Sequence, residues 1–398
     1  MTIISTNKKV LHIITLFNVG GATENTIFTV AGLIKKGYKV EIITGSNSSV
    51  EGSMHEITER LKIPVHTFPN LRRKISPLWD LVITFQLFKF IKKNKFDIVH
   101  THSAKAGVVG RIAAWLAKTP IVIHHNHGNP FHRFQNWFVR ELFKSIEKFA
   151  SLFCIKIVSV THTIVDEMVA NKIAPREKFR VIRSGFDVEN FMNYDTTNDN
   201  NTREKYGLSG NDIVLGNIGR LSVLKGHIYL LQAFEKVSRQ LSNAKLVLVG
   251  DGEIKDELTK FISERNLSNK VIFTGLVWPK EIPSIISVLD VVVHTALLEG
   301  LPRVFAQSML MGKPVVAFDL DGAHEVIMDG KNGYLIEPMN IDMLADKILD
   351  LISDISKARK FGEFAKNNIS DDFSIQTMVD NIDRLYQELL LNSLHGRL

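Results

Sequence analysis

Short β-branched runs followed by longer helical patterns recur along this sequence in two series, and that alternation limits the fold more than any other feature. The first series holds VLHIITLF (10 to 17), YKVEIITG (38 to 45), FDIVHTH (96 to 102), PIVIHH (120 to 125) and IKIVSVTH (155 to 162). The second holds DIVLGNIGRL (212 to 221), AKLVLVG (244 to 250), KVIFTG (270 to 275), DVVVHTA (290 to 296) and KPVVAFD (313 to 319). Strand, helix, strand in repetition predicts a parallel sheet covered by helices on both faces.

Between the two series lies VENFMNYDTTNDNN (188 to 201), rich in Asn and Asp and poor in aliphatic residues, which reads as a surface linker. The expected organisation is therefore an N-terminal domain over 1–186 and a C-terminal domain over 187–373. With 398 residues there is material for two cores, since single cores stop growing at roughly 250–300 residues. From Ser374 the pattern SIQTMVDNIDRLYQELLL places Ile375, Met378, Val379, Ile382, Leu385, Tyr386 and Leu389 on one helical face. Pattern alone does not fix what that face packs on; the expectation is a closing helix over 374–398 returning to the N-terminal domain.

Charge is unevenly shared. Residues 1–185 carry 27 Lys and Arg against 12 Asp and Glu, a surplus of 15, whereas the remainder carries 22 against 30, a deficit of 8. A basic N-terminal half suits a polyanionic partner such as an anionic lipid surface. Within it, FQNWFVRELFKSIEKF spaces Phe134, Trp137, Phe138, Leu142, Ile146 and Phe149 along one face and sets Arg140, Lys144 and Lys148 on another. LRRKISPLWDLVITFQLFKFIKKNK mixes aromatics and lysines in the same way. Such faces either pack on a sheet or lie in a membrane interface, and spacing does not choose between them. The basic residues do not interleave with aromatics in any nucleic-acid-binding module, so no nucleic acid is expected. The longest apolar runs, 149–160 and 285–298, are interrupted by Lys156 and Asp290 and are too short to span a bilayer. The single cysteine, Cys154, cannot form an intrachain disulfide, and the expected location is the cytoplasm, peripheral on the inner face of the plasma membrane.

Open α/β sheets bind ligands at the carboxyl ends of their strands, so charges and glycines following strands are the candidates. Asn18, Val19, Gly20 and Gly21 follow the first run and precede a helix, where uncovered amides favour an anion. The glycines are adjacent rather than spaced as in a dinucleotide fingerprint, and Glu41 lies inside its strand, which argues against an NAD-dependent dehydrogenase. Arg220 and Lys225, five apart in GRLSVLKG, can converge on one anion, the first as a planar fork and the second as a point charge. Glu299 and Gly300 follow another strand, with Pro302 opening the next helix and Gln307 about two turns on. His100, His102, His124, His125 and His127 end two strands; without cysteine or carboxylate at a metal-ligand spacing, no metal is expected. Asp319 and Asp321 in FDLDGAHEV read as a structural turn rather than a metal-binding pair.

In combination, NVGGATEN, HTHSAKAGVVGRIAA, HHNHGNPF, SGFDVENF, GRLSVLKG, LVGDGE, VIFTG, EGLPRVFAQSMLMGKPVVA and DGKNGYLIEP resemble the retaining glycosyltransferases of family 4 over nearly the whole chain. The resemblance implies the α/β GT-B fold, two Rossmann-like doubly wound parallel-sheet domains facing a central cleft. It implies a UDP-sugar donor, a glycan or polyprenyl-linked acceptor in cell-surface polysaccharide assembly such as capsule or O-antigen, and no metal or cofactor. Carried over by position, Gly20 and Gly21 would line the donor phosphates and His127 would sit beside the transferred sugar. Arg220 and Lys225 would grip the diphosphate, and Glu299 would contact the donor sugar. Leu276 and Val277 would hold the base through their backbone, with Gly300, Leu301 and Gln307 completing the donor site. The family's paired glutamates, with seven residues between them, are here Glu299 and Gln307, and Gln307 can still hydrogen-bond a ribose hydroxyl. Alternatives are a nucleotide-sugar epimerase on the same architecture and a catalytically inactive membrane-surface adaptor.

Overall fold

The structure, a computed structural model, describes residues 7–46, 53–369 and 371–396. The chain divides into two compact units, Met1–Phe186 with Asp372–Leu398, and Asp187–Asp371.

In the first unit the strands are β1 (Lys9–Ile14), β2 (Lys39–Thr44), β3 (Val65–Thr67), β4 (Ile98–His102), β5 (Ile121–Asn126), β6 (Lys156–Ser159) and β7 (Phe179–Val181). They form one parallel sheet ordered β3-β2-β1-β4-β5-β6-β7, so the strand order reverses between β1 and β4. Alternation along the strands sorts side chains between two faces. Leu11, Ile13 and Val99 point to a core shared with Ile83, Leu87 and Ile91 of the helix Pro77–Asn94 and Val109 and Ala113 of the helix Ala104–Leu116. The opposite face carries imidazoles, because His12 registers with His100 and His102 with His125.

The closing helix, Ile375–Leu394, lies on that second face. Ser374 caps it, its hydroxyl accepting from the Thr377 amide at 3.0 Å. Met378, Val379, Ile382, Leu385, Tyr386 and Leu389 are buried. A Cβ on Gly32 would lie 2.4 Å from Val379, so this glycine lets the helix Gly21–Lys35 and the closing helix approach closely. Lys36 pairs with Asp380 and Asp383 at 2.8 and 3.0 Å, and Tyr38 donates to Asp383 at 2.7 Å.

The second unit holds β8 (Ile213–Ile218), β9 (Ala244–Val249), β10 (Val271–Gly275), β11 (Val291–His294), β12 (Val315–Phe318) and β13 (Gly333–Ile336). This parallel sheet is ordered β10-β9-β8-β11-β12-β13, and its order reverses between β8 and β11.

The segment expected as a linker is mostly helical, over Val188–Met192 and Asp199–Lys205, with Phe191 buried. Its aspartates serve as caps: Asp187 accepts from the Asn190 amide and Asp195 from the Thr197 amide. The polar composition that reads as loop here supplies helix starts.

Candidate active site

The point where strand order reverses in the second unit is where its charged loops meet. After β8 the chain passes through Gly219 and Arg220 into a short 3-10 turn, Val223–Lys225, and then Gly226 opens the helix His227–Gln240. Gly226 has φ 66, and a Cβ there would lie 2.0 Å from the Thr295 carbonyl oxygen. The Leu297 amide donates to the Leu224 carbonyl at 2.8 Å. These backbone contacts pin the loop after β8 to the loop after β11, which brings the Lys225 ammonium against the Glu299 carboxylate.

Around this pair stand other charged and polar groups. Glu299 donates its own amide to Asp321 at 2.6 Å, which fixes its backbone, and His294 lies 3.5 Å from its carboxylate. Asp321 thus anchors the loop that carries Glu299, and it holds the turn in the left-handed region itself, at φ 52. Burial first, and then the Arg220 guanidinium, push the Lys225 ammonium down to about 7, while the Asp321 carboxylate opposes them. His227, buried and close to Lys225, is pushed down to about 4, and His294 falls well below the ordinary range for the same reasons.

The remaining donor-side candidates line the same sheet edge. The Gly250 amide donates to Gly275 at 3.0 Å, and the Leu221 amide to Asp251 at 3.0 Å, lacing the ends of β8, β9 and β10 together. Leu276 follows β10 and is exposed, with Val277 half-buried beside it. Gly300 and Leu301 are buried before the helix Arg303–Leu310, on which Gln307 is half-buried.

In the first unit, Gly20 and Gly21 follow β1 and His127 follows β5, with β4 between those strands. Gly20 precedes the helix Gly21–Lys35 in extended conformation and gives it no side-chain cap. His127 is half-buried, and its Nε2 lies 3.0 Å from His102 Nδ1. His102 Nε2 in turn lies 2.9 Å from His12 Nδ1. His102, His125 and His127 each bring a ring nitrogen within 4.8 Å of the others, as do His12, His100 and His102. Both nitrogens of His102 are already engaged with other imidazoles, and the rings of His125 and His127 stack at 4.2 Å and 11°. Stacked rings run their in-plane lone pairs side by side rather than toward one point; hydrogen bonds link His12, His102 and His127, while both ring nitrogens of His125 are buried without a hydrogen-bond partner among the described residues.

Sequence reasoning missed His12, His294 and Tyr386, and it gave Asp321 no more than a turn. His294 is the last residue of β11, a position that could have been flagged.

Residues 198–368 match the family described as glycosyl transferases group 1, and residues 19–190 match glycosyltransferase family 4. The UDP-Gal:alpha-D-GlcNAc-diphosphoundecaprenol alpha-1,3-galactosyltransferase of Escherichia coli is 30% identical over 342 residues, covering 84% of this chain and 87% of that protein. The chain belongs to the family 4 glycosyltransferases. The transferase is also 24% identical over 400 residues to the capsular polysaccharide biosynthesis glycosyltransferase CapM of Staphylococcus aureus, covering 97% of this chain and 99% of that one. Its fold is GT-B: Anabaena HepE, solved in complex with UDP-glucose, superposes with a TM-score of 0.82 at 24% identity, over 96% of the transferase and 100% of HepE. WaaG, a glycosyltransferase involved in lipopolysaccharide biosynthesis, does so with a TM-score of 0.75 at 13% identity, over 94% and 99%. Among the described residues, no helix of the transferase is long and apolar enough to cross a membrane.

Proposed function

We propose that this transferase moves a hexose or N-acetylhexosamine from a UDP-sugar to a polyprenyl-diphosphate-linked glycan, with retention of configuration and without a metal ion. The observation that carries this reading is the Lys225–Glu299 contact at the strand-order reversal, with Arg220 beside it. A nucleoside diphosphate leaves as an anion, and its charge grows as the bond from the anomeric carbon to the phosphate oxygen breaks. Arg220 and Lys225 meet that charge with two cations of the chain's own, in the role a divalent ion would otherwise fill. Glu299, displaced from Lys225 by the incoming phosphate, is then available to the sugar hydroxyls. The leaving phosphate oxygen takes the proton of the acceptor hydroxyl, whose oxygen forms the new bond on the same face of the sugar. Gly20 and Gly21 serve the phosphates, His127 the transferred sugar, Leu276 and Val277 the base, and Gln307 the ribose. A UDP donor is supported by the Escherichia coli relative's name and by the ligand in HepE.

An acceptor at a membrane surface is supported by the character of the first unit's exterior. The helix Trp137–Ser151 turns Glu147, Ala150 and Ser151 inward and leaves Trp137 and Phe138 67% and 68% exposed, with Leu142 and Phe149 also exposed. The helix Pro77–Asn94 likewise exposes Leu78, Trp79, Leu81, Val82 and Phe85. Arg72 and Lys89 cover two of these rings, at 5.6 Å from Trp79 and 4.4 Å from Phe85. Exposed aromatics among basic residues suit the interface of an anionic leaflet.

The deciding experiment incubates the protein with UDP-, GDP- and ADP-sugars, with and without a polyprenyl-diphosphate-linked sugar. Acceptor-dependent release of UDP with a lengthened glycan is the expected result. Conversion of the donor to its epimer without acceptor, or no turnover of any nucleotide sugar, overturns the reading.

A further inference from the structure

A line of hydrogen bonds crosses the helix-covered face of the first sheet. Tyr386, in the closing helix, places its hydroxyl 2.7 Å from His100 Nδ1 and 3.3 Å from His12 Nε2. His12 Nδ1 lies 2.9 Å from His102 Nε2, and His102 Nδ1 lies 3.0 Å from His127 Nε2. Tyr386, His12, His100 and His102 are all fully buried or nearly so. Burial holds each of these imidazoles neutral, His12 at about 3 and the others well below the ordinary value. A neutral imidazole carries one N–H and one bare nitrogen, so each link in the line fixes the next.

The end of the line sets its direction. His100 Nε2 is buried without a hydrogen-bond partner. A buried orphan N–H is rarer and costlier than an orphan acceptor, so that nitrogen is the bare one and His100 Nδ1 bears the proton. His100 then donates to the Tyr386 oxygen, which leaves the tyrosine proton for His12 Nε2. His12 donates from Nδ1 to His102, and His102 donates from Nδ1 to His127 Nε2. His127 Nε2 is thereby an acceptor, and the proton of its ring sits on Nδ1.

We infer that Tyr386 is a positioning residue: through His12 and His102 it holds His127 in the Nδ1–H tautomer, so that this ring meets its ligand as a hydrogen-bond donor. The catalytic half of the inference rests on the reading above that His127 faces the transferred sugar; the tautomer itself does not. The reverse polarity would hand Nε2–H of His127 to His102 and turn Nδ1 into an acceptor toward the same ligand. A closing helix drawn from the far end of the chain thus decides which way a residue after β5 can hydrogen-bond.

The test is long-range nitrogen–proton NMR on the full chain labelled with 15N-histidine, with His127→Asn for assignment, together with Tyr386→Phe. Wild type is expected to show His127 as Nδ1–H, and Tyr386→Phe, which keeps the ring and removes the hydroxyl, to shift it to Nε2–H or a mixture. The variant should lose about tenfold or more in kcat with KM for the donor within about twofold, as expected when a group acting in the transition state is misoriented. His127 in the Nε2–H form in wild type overturns the inference whether or not the variant folds, and so does an unchanged tautomer in Tyr386→Phe. A shifted tautomer with unchanged kcat instead removes His127 from the reaction, which separates the failure of its assigned role from that of the hydrogen-bond line.

Discussion

Gly226 and Thr295 meet backbone to backbone: a Cβ on the glycine would stand 2.0 Å from the threonine carbonyl oxygen, and the glycine's φ is 66. That contact seats the loop bearing Lys225 on the loop bearing Glu299. Gly226→Ala must therefore both adopt a left-handed conformation, at about 1–2 kcal/mol, and push the two loops apart. The expected outcome is a protein of lowered thermal midpoint whose affinity for UDP falls by more than about tenfold, a loss of about 1.4 kcal/mol, read by calorimetric titration.

A donor site built on Lys225, as proposed, would depend on pH. Burial and Arg220 lower its ammonium to about 7, so it is largely neutral above that pH in the free protein and must take up a proton to grip a diphosphate. Affinity for UDP should fall as pH rises from 7 to 9, approaching about tenfold per unit for one linked proton. Lys225→Arg, charged throughout, should flatten that slope. For folding the sign is opposite in sense: a depressed lysine costs stability most below pH 7, and the cost eases as pH rises from 7 toward the unfolded value of 10.5. A UDP titration across this range checks the first expectation.

Arg111 and Glu147 form a fully enclosed ion pair, 2.9 Å apart, joining the helices Ala104–Leu116 and Trp137–Ser151. Arg111 also donates from Nε to the Gly107 carbonyl at 2.7 Å. Glu147→Ala leaves a buried guanidinium without its counter-charge and should cost about 3–5 kcal/mol in denaturant unfolding of the first unit. UDP binding, to which neither Arg111 nor Glu147 is assigned, should survive wherever the protein remains folded.

Much of this architecture is legible in the sequence because strand runs and the residues that follow them are local signals. Arg220, Lys225 and Glu299 stand out as charges following strands, although their spacing along the chain does not say that Lys225 lies against Glu299. What escapes depends on register and docking. His12 matters because β1 aligns it with His100, and Tyr386 because a helix 374 residues away in sequence lays its hydroxyl near His12. The helix Trp137–Ser151 is ambiguous for a different reason: its larger apolar face points outward, and hydrophobic spacing says only that a face exists. The Asn- and Asp-rich segment after Phe186 misleads because the residues that favour loops also start helices.

The outward aromatics carry a prediction of their own. Vesicles containing anionic lipid should float the protein, neutral vesicles should float it less, and raised salt should weaken the association. Trp137→Glu with Phe138→Glu should abolish flotation while leaving UDP binding within about twofold, since neither exposed side chain is among the residues assigned to the donor.

If two cations after β8 receive a departing diphosphate, removing either must weaken the hold on UDP. Calorimetric titration of UDP and of uridine into wild type, Lys225→Ala and Arg220→Ala measures this most directly. The expected result is UDP binding far tighter than uridine in wild type, with each substitution weakening UDP by at least about tenfold and leaving uridine unchanged. UDP binding undiminished in both variants would contradict it.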